Sequence, residues 1–502
     1  MTSTETPAPH APSLLQNLMS LVGAVVVASS FFAAVCLFAI DFFRGFTNPY
    51  MGILSYIVAP GFLAAGFVIM AVGALRERRR RRQAAPEAIP PLPRIDLNVA
   101  RQRRVFVLGA AGTFVFLLMT ALGSYRTYQF TDSVAFCGLV CHTVMKPEYT
   151  VYQKSPHARV ACAECHIGSG ATWFVKSKLS GAYQVYATIA NKYPRPIPVP
   201  VANLRPARQT CEECHWPRMF YGAAERVQTH YLADEHNKPW KVRMLVHIGG
   251  GEPGRQTGGI HWHMLLSNKV EYVAGDRQRQ TIPWVRLTDA NGKATVYRSA
   301  DAGASDAPPA GSIRTMDCID CHNRPTHIYL SPIDAVDRAI AAGSIDRNLP
   351  FIKKQAVLAL AGEPAMTSAG RDAVAAALTG FYAASYPKLA GTSAVTQAAA
   401  AVQDIWDHNI FPAMKADWRA YPDNIGHKES AGCFRCHDGS HTSADGKTIT
   451  HDCGACHTII EQGPAGKTTS RLAGLEFKHP ADVGDAWKQT NCNSCHDGAT
   501  LP

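Results

Sequence analysis

Residues 137–166 read CGLVCHTVMKPEYTVYQKSPHARVACAECH. The stretch closes on Cys162, Cys165 and His166 in the pattern C-x-x-C-H. It opens on Cys137, Cys141 and His142, the same pattern with one more residue between the cysteines. C-x-x-C-H is the attachment signature of c-type haem: two thiols add to the porphyrin vinyl groups, and the adjacent imidazole reaches the iron. Outward from this stretch the pattern recurs at Cys211/Cys214/His215, Cys318/Cys321/His322, Cys433/Cys436/His437, Cys453/Cys456/His457 and Cys492/Cys495/His496. Fourteen of the 15 cysteines are used in this way, and only Cys36, inside an apolar run, is left over. From the Cys and His frequencies roughly 0.02 C-x-x-C-H motifs are expected by chance, against six found.

Zinc and disulfides are the competing chemistries. A zinc site needs four convergent ligands and does not call for a histidine after each pair. Disulfides place no demand on the next residue. The sequence therefore predicts seven covalently attached c-type haems, with the seven motif histidines as proximal iron ligands. The formal charge of +11 does not imply nucleic acid. Arg76, Arg78, Arg79, Arg80, Arg81 and Arg82 cluster beside an apolar segment, where the positive-inside rule accounts for them, and haem propionates offset further basic charge.

Three long apolar runs, Met19–Ile40, Tyr50–Leu75 and Val105–Leu122, are each long enough to cross a hydrocarbon core as a helix. Residues 76–104 carry ten arginines and are expected to stay in the cytoplasm. The 41–49 turn is then periplasmic, and everything after Tyr125 follows the third helix into the periplasm. Attachment of c-type haem outside the cytoplasmic membrane independently requires the same topology. The first run lacks a basic n-region and an A-x-A-like cleavage site, so it reads as an uncleaved anchor. The expected location is the bacterial inner membrane, multi-pass, with the haem domain in the periplasm.

The expected fold class is a mainly α, membrane-anchored multihaem cytochrome c. It comprises three N-terminal transmembrane helices and a haem-packed periplasmic domain with a small β insertion. Residues 1–125 are the anchor and 126–220 a three-haem domain. Residues 221–330 form a mixed α/β segment with the fourth haem, 331–425 an Ala-rich helical spacer and 426–502 a C-terminal three-haem domain. Lys241–Ile248 and Val270–Val273 look strand-like, and Thr281–Leu287 and Ala294–Arg298 flank an Asn291-Gly292 hairpin turn. Ser299–Ser312 reads as a loop. Helices are expected at Ile333–Ala342, Arg371–Ala384 and Ser393–Asn409, with Trp406, Phe411 and Trp418 supplying core bulk.

An iron that only transfers electrons needs a second ligand, whereas one that binds substrate keeps an open position. Of 20 histidines, seven sit in motifs and His10 on the cytoplasmic tail, which leaves twelve for at most seven distal positions. His157, His427 and His451 lie shortly before a motif, and such histidines commonly ligate a neighbouring haem. His327, His441 and His479 are similarly placed, and His247, His261, His263, His230 and His236 form a cluster between the third and fourth motifs. On a strand, His261 and His263 would share a face and serve one haem, or one haem plus a substrate. Any single one of these is as readily a hydrogen-bonded surface histidine.

The stretch from Cys137 to His215 resembles the NapC/NirT family of membrane-anchored quinol dehydrogenases. The residues that carry the likeness are Cys137, Cys141-His142-Thr143-Val144-Met145, Pro147-Glu148-Tyr149 and Ser155-Pro156-His157 running into Cys162-Ala163-Glu164-Cys165-His166. Three anchoring helices with seven haem motifs look like the larger inner-membrane cytochromes of metal-respiring bacteria. The resemblance implies quinol oxidation near the first haem and electron transfer through bis-His haems to periplasmic cytochromes or a reductase. It implies Met145 as the unusual ligand of the first haem and His157 as a distal ligand. It also places Lys176 and Lys178 near the quinol pocket, with Glu148 and Lys154 as weaker candidates. The chain departs from the family pattern in its three-residue first motif, in the position of Met145 and in its two extra helices.

The leading expectation is thus a quinol dehydrogenase and electron conduit, whose partners are membrane quinol, periplasmic redox proteins and the lipid bilayer, with an oligomer compatible with the sequence. A terminal reductase, with one five-coordinate haem and Arg243, Arg255 and His261 orienting an anion, is the alternative from another class. A haem subunit that wires a separate enzyme to the membrane is the third.

Overall fold

The described parts of the three apolar runs lie in the helices α1 (Leu18–Arg44), α2 (Ala59–Arg82) and α3 (Ala100–Thr131). All three are long and apolar enough to cross a membrane. The structure is a computed structural model that describes residues 14–44 except 16, 58–82, 96–140, 142–167, 171–201, 204, 206–216, 219–250, 259–265, 267–303 and 305–501. It divides into two units, Met1–Val140 and Cys141–Pro502.

In the first unit α1 and α2 meet through small residues. A Cβ on Gly66 would stand 2.8 Å from Cγ2 and 3.0 Å from the backbone nitrogen of Val27. A Cβ on Gly23 would stand 2.7 Å from the Met70 nitrogen, and one on Gly73 2.7 Å from that of Ser20. Lipid gives apolar helices no hydrophobic reason to associate, so close backbone approach and interhelical hydrogen bonds hold them. Ser20 Oγ donates to the Met70 carbonyl at 3.2 Å and Asn17 Nδ2 to the Gly73 carbonyl at 3.3 Å. The second helix does not stop at Leu75 but runs on through the arginines to Arg82, with Arg81 bonded to Glu77 at 2.8 Å. Most of the expected 41–49 turn and much of the basic loop lie outside the described residues. After α3 the chain makes a single π-helical turn, Phe136–Val140. This wider turn takes up the extra residue of the first motif.

The second unit opens with α4 (His142–Gln153), α5 (Cys162–His166), α6 (Ala171–Ile189) and α7 (Ala207–Cys211). After the strands come α8 (Cys318–Cys321), α9 (Pro332–Ala341), α10 (Ile352–Ala361), α11 (Gly370–Ser385) and α12 (Ser393–Asn409). The Ala-rich stretch is a packed core. Val336, Ile352, Val357, Leu360, Leu378, Tyr382 and Val402 are almost wholly buried, and Phe411 and Trp418 close it. Trp406 is half-buried and donates to the Ala365 carbonyl at 2.7 Å. Val144 and Val151 of α4 join the same core, which ties the helix of the first motif to the spacer helices.

Two antiparallel sheets fill the region between. One has the order β1-β2-β8-β9, with β1 Ala224–Tyr231, β2 Pro239–Val246, β8 His457–Pro464 and β9 Thr469–Ser470. The other runs β6-β3-β4-β5-β7, with β3 Lys269–Val273, β4 Trp284–Thr288, β5 Ala294–Arg298, β6 Arg314–Thr315 and β7 Thr442–Ser443. The hairpin at Asn291-Gly292 is present, and Gly292 takes φ +79° as its turn requires. The β region is nevertheless not a self-contained insertion. β7, β8 and β9 come from beyond residue 440 and complete both sheets. β8 begins at His457 of the sixth motif, which pairs with Val246.

Candidate functional site

Each C-x-x-C-H motif is a short helical turn that presents its histidine at the C-terminal end. α5 carries the second motif, the end of α7 starts the third, α8 carries the fourth, and turns of 3₁₀ helix carry the fifth to seventh. Six of these histidines stand opposite a second imidazole. His157 and His215 have ring centres 5.9 Å apart, His166 and His327 6.3 Å, and His261 and His322 6.3 Å. His263 and His437 are 5.8 Å apart, His427 and His457 6.2 Å, and His479 and His496 5.9 Å. Metal–nitrogen bonds of about 2 Å, with each ring centre roughly 1 Å behind its nitrogen, separate two such rings by about 6 Å. The pairs therefore fit an iron held between them.

The ring nitrogens are prepared for it. Nδ1 of His157 meets the Pro325 carbonyl at 3.2 Å, that of His261 the Ile248 carbonyl at 2.6 Å, and that of His263 the Ile260 carbonyl at 2.9 Å. Nδ1 of His437 meets the Thr450 carbonyl at 2.8 Å. A donor Nδ1–H fixes the tautomer in which Nε2 carries the free lone pair, and it also fixes the ring's aim. Burial pushes the imidazoles of His263, His327, His427, His437, His457 and His496 below the ordinary histidine value. The neutral ring is the form that binds a metal. Phe220 stacks on His261 at 4.3 Å and Phe434 on His427 at 4.2 Å.

His261 and His263 lie on one turn of 3₁₀ helix, Ile260–Met264, and not on a strand. That turn aims the two rings at different motifs, the fourth and the fifth. His157 and His427 each stand opposite a motif other than the one that follows them in sequence. His247 bonds Thr458 Oγ through Nε2 at 3.0 Å, beside His457. His441 is 1 % exposed, with Nδ1 on Asp438 at 2.9 Å and Nε2 on the Ile282 carbonyl at 2.8 Å, so neither nitrogen is free. His451 packs on Phe434 with ring centres 4.8 Å apart. His230 lies with Asp334 and Asp337, but Lys428 and Lys353 already neutralise those carboxylates at 2.7 Å each.

Cys141 and the side chains of His142 and Lys178 lie outside the described residues, as does Arg255. Met145 is half-buried on α4, and Lys176 is exposed on α6. Glu148 takes both guanidinium contacts of Arg324 at 3.1 Å, and its Oε2 stands 3.0 Å from Nδ1 of His327. Arg243 is bound to Glu225 at 2.7 Å, and Lys154 reaches Asp404 at 3.4 Å.

Among the described residues, four attachment cysteines are exposed, one each in the third, fourth, sixth and seventh motifs. Cys214 of the third motif and Cys495 of the seventh are exposed, whereas their partners Cys211 and Cys492 are half-buried. The Cys214 amide donates to the Cys211 carbonyl at 3.2 Å and the Cys495 amide to that of Cys492 at 3.1 Å, a turn that the fifth and sixth motifs also make with half-buried second cysteines, so the exposure is set by what packs against each turn. Glu213 and Ser494, immediately before them, are exposed too. A thioether needs a thiol within reach of a vinyl group and not burial, so Cys214 and Cys495 stay candidate attachment residues. Cys453 and Cys321, in the sixth and fourth motifs, are exposed as well.

Successive motifs come near one another at their cysteines. The Cys318 thiol is pushed up by its hydrogen bond with Cys211 and by burial. The protein packed around Cys321 on its inner side pushes its thiol up to about 11, with Cys433 nearby. Burial pushes Cys436 up to about 12, with Cys321 nearby. Cys456 is likewise pushed up to about 11 beside Cys433, and Cys492 is raised beside Cys453. The third to seventh motifs therefore run as neighbours in sequence order.

Sequence reasoning passed over the residues between the cysteines, and two of them organise the centre. Asp320, inside the fourth motif and 2 % exposed, accepts from Tyr272 at 2.7 Å, Arg279 at 2.9 Å and Arg314 at 2.7 Å. Arg435, inside the fifth, donates to the Asp320 carbonyl at 2.6 Å and the Arg279 carbonyl at 2.9 Å. A charged residue between two motif cysteines was the available signal.

Residues 100–196 match the model of the NapC/NirT cytochrome c family, N-terminal region. Over 492 residues, 97 % of this chain and 96 % of the other, the sequence is 42 % identical to the cytochrome c-type protein ImcH of Geobacter sulfurreducens. No solved structure matches.

Proposed function

This chain belongs to the NapC/NirT cytochrome c family, and on that premise we propose that it oxidises membrane quinol and conducts the electrons along seven haems to periplasmic redox partners. The observation that carries this reading is the set of six facing imidazole pairs. A conduit needs both axial positions of each iron filled, and a reductase needs one left open. When bound, each haem supplies a one-electron carrier. The chain's part is to attach it through two thiols, to clamp its iron between two imidazoles and to keep those imidazoles neutral and aimed.

In this reading His157, His327, His261, His263, His427 and His479 are the distal ligands of the third, second, fourth, fifth, sixth and seventh haems respectively. The first motif, at the end of α3 in the sequence, is the entry point, with Met145 as the candidate second ligand and Lys176 and Lys178 as candidate quinol-pocket residues. The ten arginines of residues 76–104 support an inner-membrane orientation with the second unit in the periplasm. Neighbouring motif cysteines support an order in which electrons leave toward the seventh motif, where Cys495 is exposed.

The test is a menaquinol analogue added to the purified full chain in detergent, with and without a quinol-site inhibitor, followed by haem absorption. Fast, inhibitor-sensitive reduction is the expected result. Reduction by dithionite but not by quinol would overturn the quinol dehydrogenase reading in favour of a subunit fed by another protein.

A further inference from the structure

One axial pair differs from the rest in what stands behind it. Nδ1 of His157, His261, His263 and His437 meets a neutral main-chain carbonyl. Nδ1 of His327 also lies 3.2 Å from a carbonyl, that of Glu148, but the Glu148 carboxylate is nearer, with Oε2 at 3.0 Å.

That carboxylate is built in. Arg324, 6 % exposed, donates to both its oxygens at 3.1 Å, and the Tyr329 hydroxyl donates to Oε1 at 3.1 Å. Arg324 is itself held by its Nε on the His327 carbonyl at 2.6 Å and by the rings of Tyr421 and Tyr329, 4.4 and 5.1 Å from the guanidinium. Glu148 lies on α4, the helix that starts at the first motif's histidine. One element thus carries the start of the first haem site and the group behind the second.

We propose that Glu148 is a positioning residue that sets the reduction potential of the second haem through His327. The inference rests on the reading that His166 and His327 clamp that haem's iron. The Nδ1–H of His327 is bonded to the Glu148 carbonyl, and the carboxylate oxygen 3.0 Å away adds its negative charge beside the ring, which makes Nε2 a stronger donor. A stronger donor favours the more highly charged oxidised iron, so the one-electron potential falls. Arg324 and Tyr329 divert part of the carboxylate's charge and so limit the fall.

The experiment is a spectroelectrochemical titration of the full haem-loaded chain in detergent, with haem content read by intact mass. Glu148→Gln is expected to move one low-potential component upward while all haems and the low-spin spectrum are retained. Tyr329→Phe, which removes a competing donor and leaves the carboxylate, is expected to move the same component downward. Shifts of opposite sign separate tuning from loss of packing, and Tyr329→Phe remains informative where Glu148→Gln does not accumulate. Titration curves that superpose on the parent in both variants overturn the proposal. His327→Ala tests the underlying reading separately: a new high-spin signal supports ligation, and its absence sinks that reading whatever Glu148 does.

Discussion

The imidazole planes of His261 and His322 lie within 6° of parallel, whereas those of His263 and His437 are 86° apart. His157 and His215 are also close to perpendicular, at 78°. Parallel ligand planes raise one iron dπ orbital above the other, and perpendicular planes leave the two nearly degenerate. The oxidised protein should therefore give at least two kinds of low-spin electron paramagnetic resonance signal, one rhombic and one highly anisotropic. His263→Ala should remove part of the highly anisotropic signal, add a high-spin one and leave the rhombic component. A spectrum with a single kind of low-spin signal would contradict the pairing.

Asp320 is the single carboxylate that answers two guanidinium groups and a phenol inside the fourth motif. Removing one partner of a buried charge network leaves the others uncompensated, at a cost of about 3–5 kcal/mol. Asp320→Ala should lower the thermal midpoint of the holoprotein and reduce haem loading at Cys318 and Cys321. Peptide mass mapping of haem attachment would check it, and full occupancy with an unchanged midpoint would count against it.

Glu271, on β3 and 6 % exposed, has Lys269 Nζ at 2.8 Å and an Arg286 guanidinium nitrogen at 2.7 Å. Burial alone would raise its carboxyl, but the two cations outweigh it and hold the value below the ordinary 4.5. A folded value below the unfolded one contributes stability that is present above about pH 4.5 and is lost as the pH falls through the depressed value. Glu271→Gln should be less stable near neutrality and should show a flatter acid limb. Melts followed by circular dichroism from about pH 7 down to about pH 3 would show this, and parallel limbs would refute it.

The α1–α2 contact leaves no room for a side chain at Gly66. Gly66→Leu would push against Val27 backbone and should cost about 1–3 kcal/mol. Gly112→Leu on α3, where nothing lies within 4 Å, should be tolerated. Yield and heat resistance of the detergent-extracted chains would separate the two, and equal behaviour would exclude the close-packed hairpin.

The attachment chemistry was legible because it is local: two thiols and an imidazole must be consecutive, so seven motifs can be read off directly. The membrane runs and the helices near Ile333, Arg371 and Ser393 were legible for the same reason, since periodicity and hydropathy are short-range properties. The imidazole pairs were not. His166 and His327, or His263 and His437, are joined only by the folded chain, and nothing near either member names its partner. Nor does a motif say which of its thiols will face water, as Cys214 and Cys495 do, because that depends on what the rest of the chain lays against the turn. The strand Ala224–Tyr231 carries Glu225, Arg226, Gln228 and Thr229, too polar a set to announce itself. His457–Pro464 was hidden behind the motif that begins it. Asp320 and Arg435 were overlooked because the pattern leaves its two central positions free.

The reach of these pairs along the chain has a consequence for how the protein is made. On the proposed ligation, a haem clamped by His479 and His496 would tie a short loop, whereas one clamped by His166 and His327 or by His263 and His437 would tie a very long one. Each acts as a cross-link whose second end arrives later in synthesis, and closing a longer loop costs more chain entropy. If the pairs ligate as proposed, the second motif waits during synthesis for residue 327 to bring its second imidazole, whereas the seventh is complete almost as soon as it is made. The cofactors are in this sense the chain's stitches, and the sewing order is set by the distance from each needle hole to its mate.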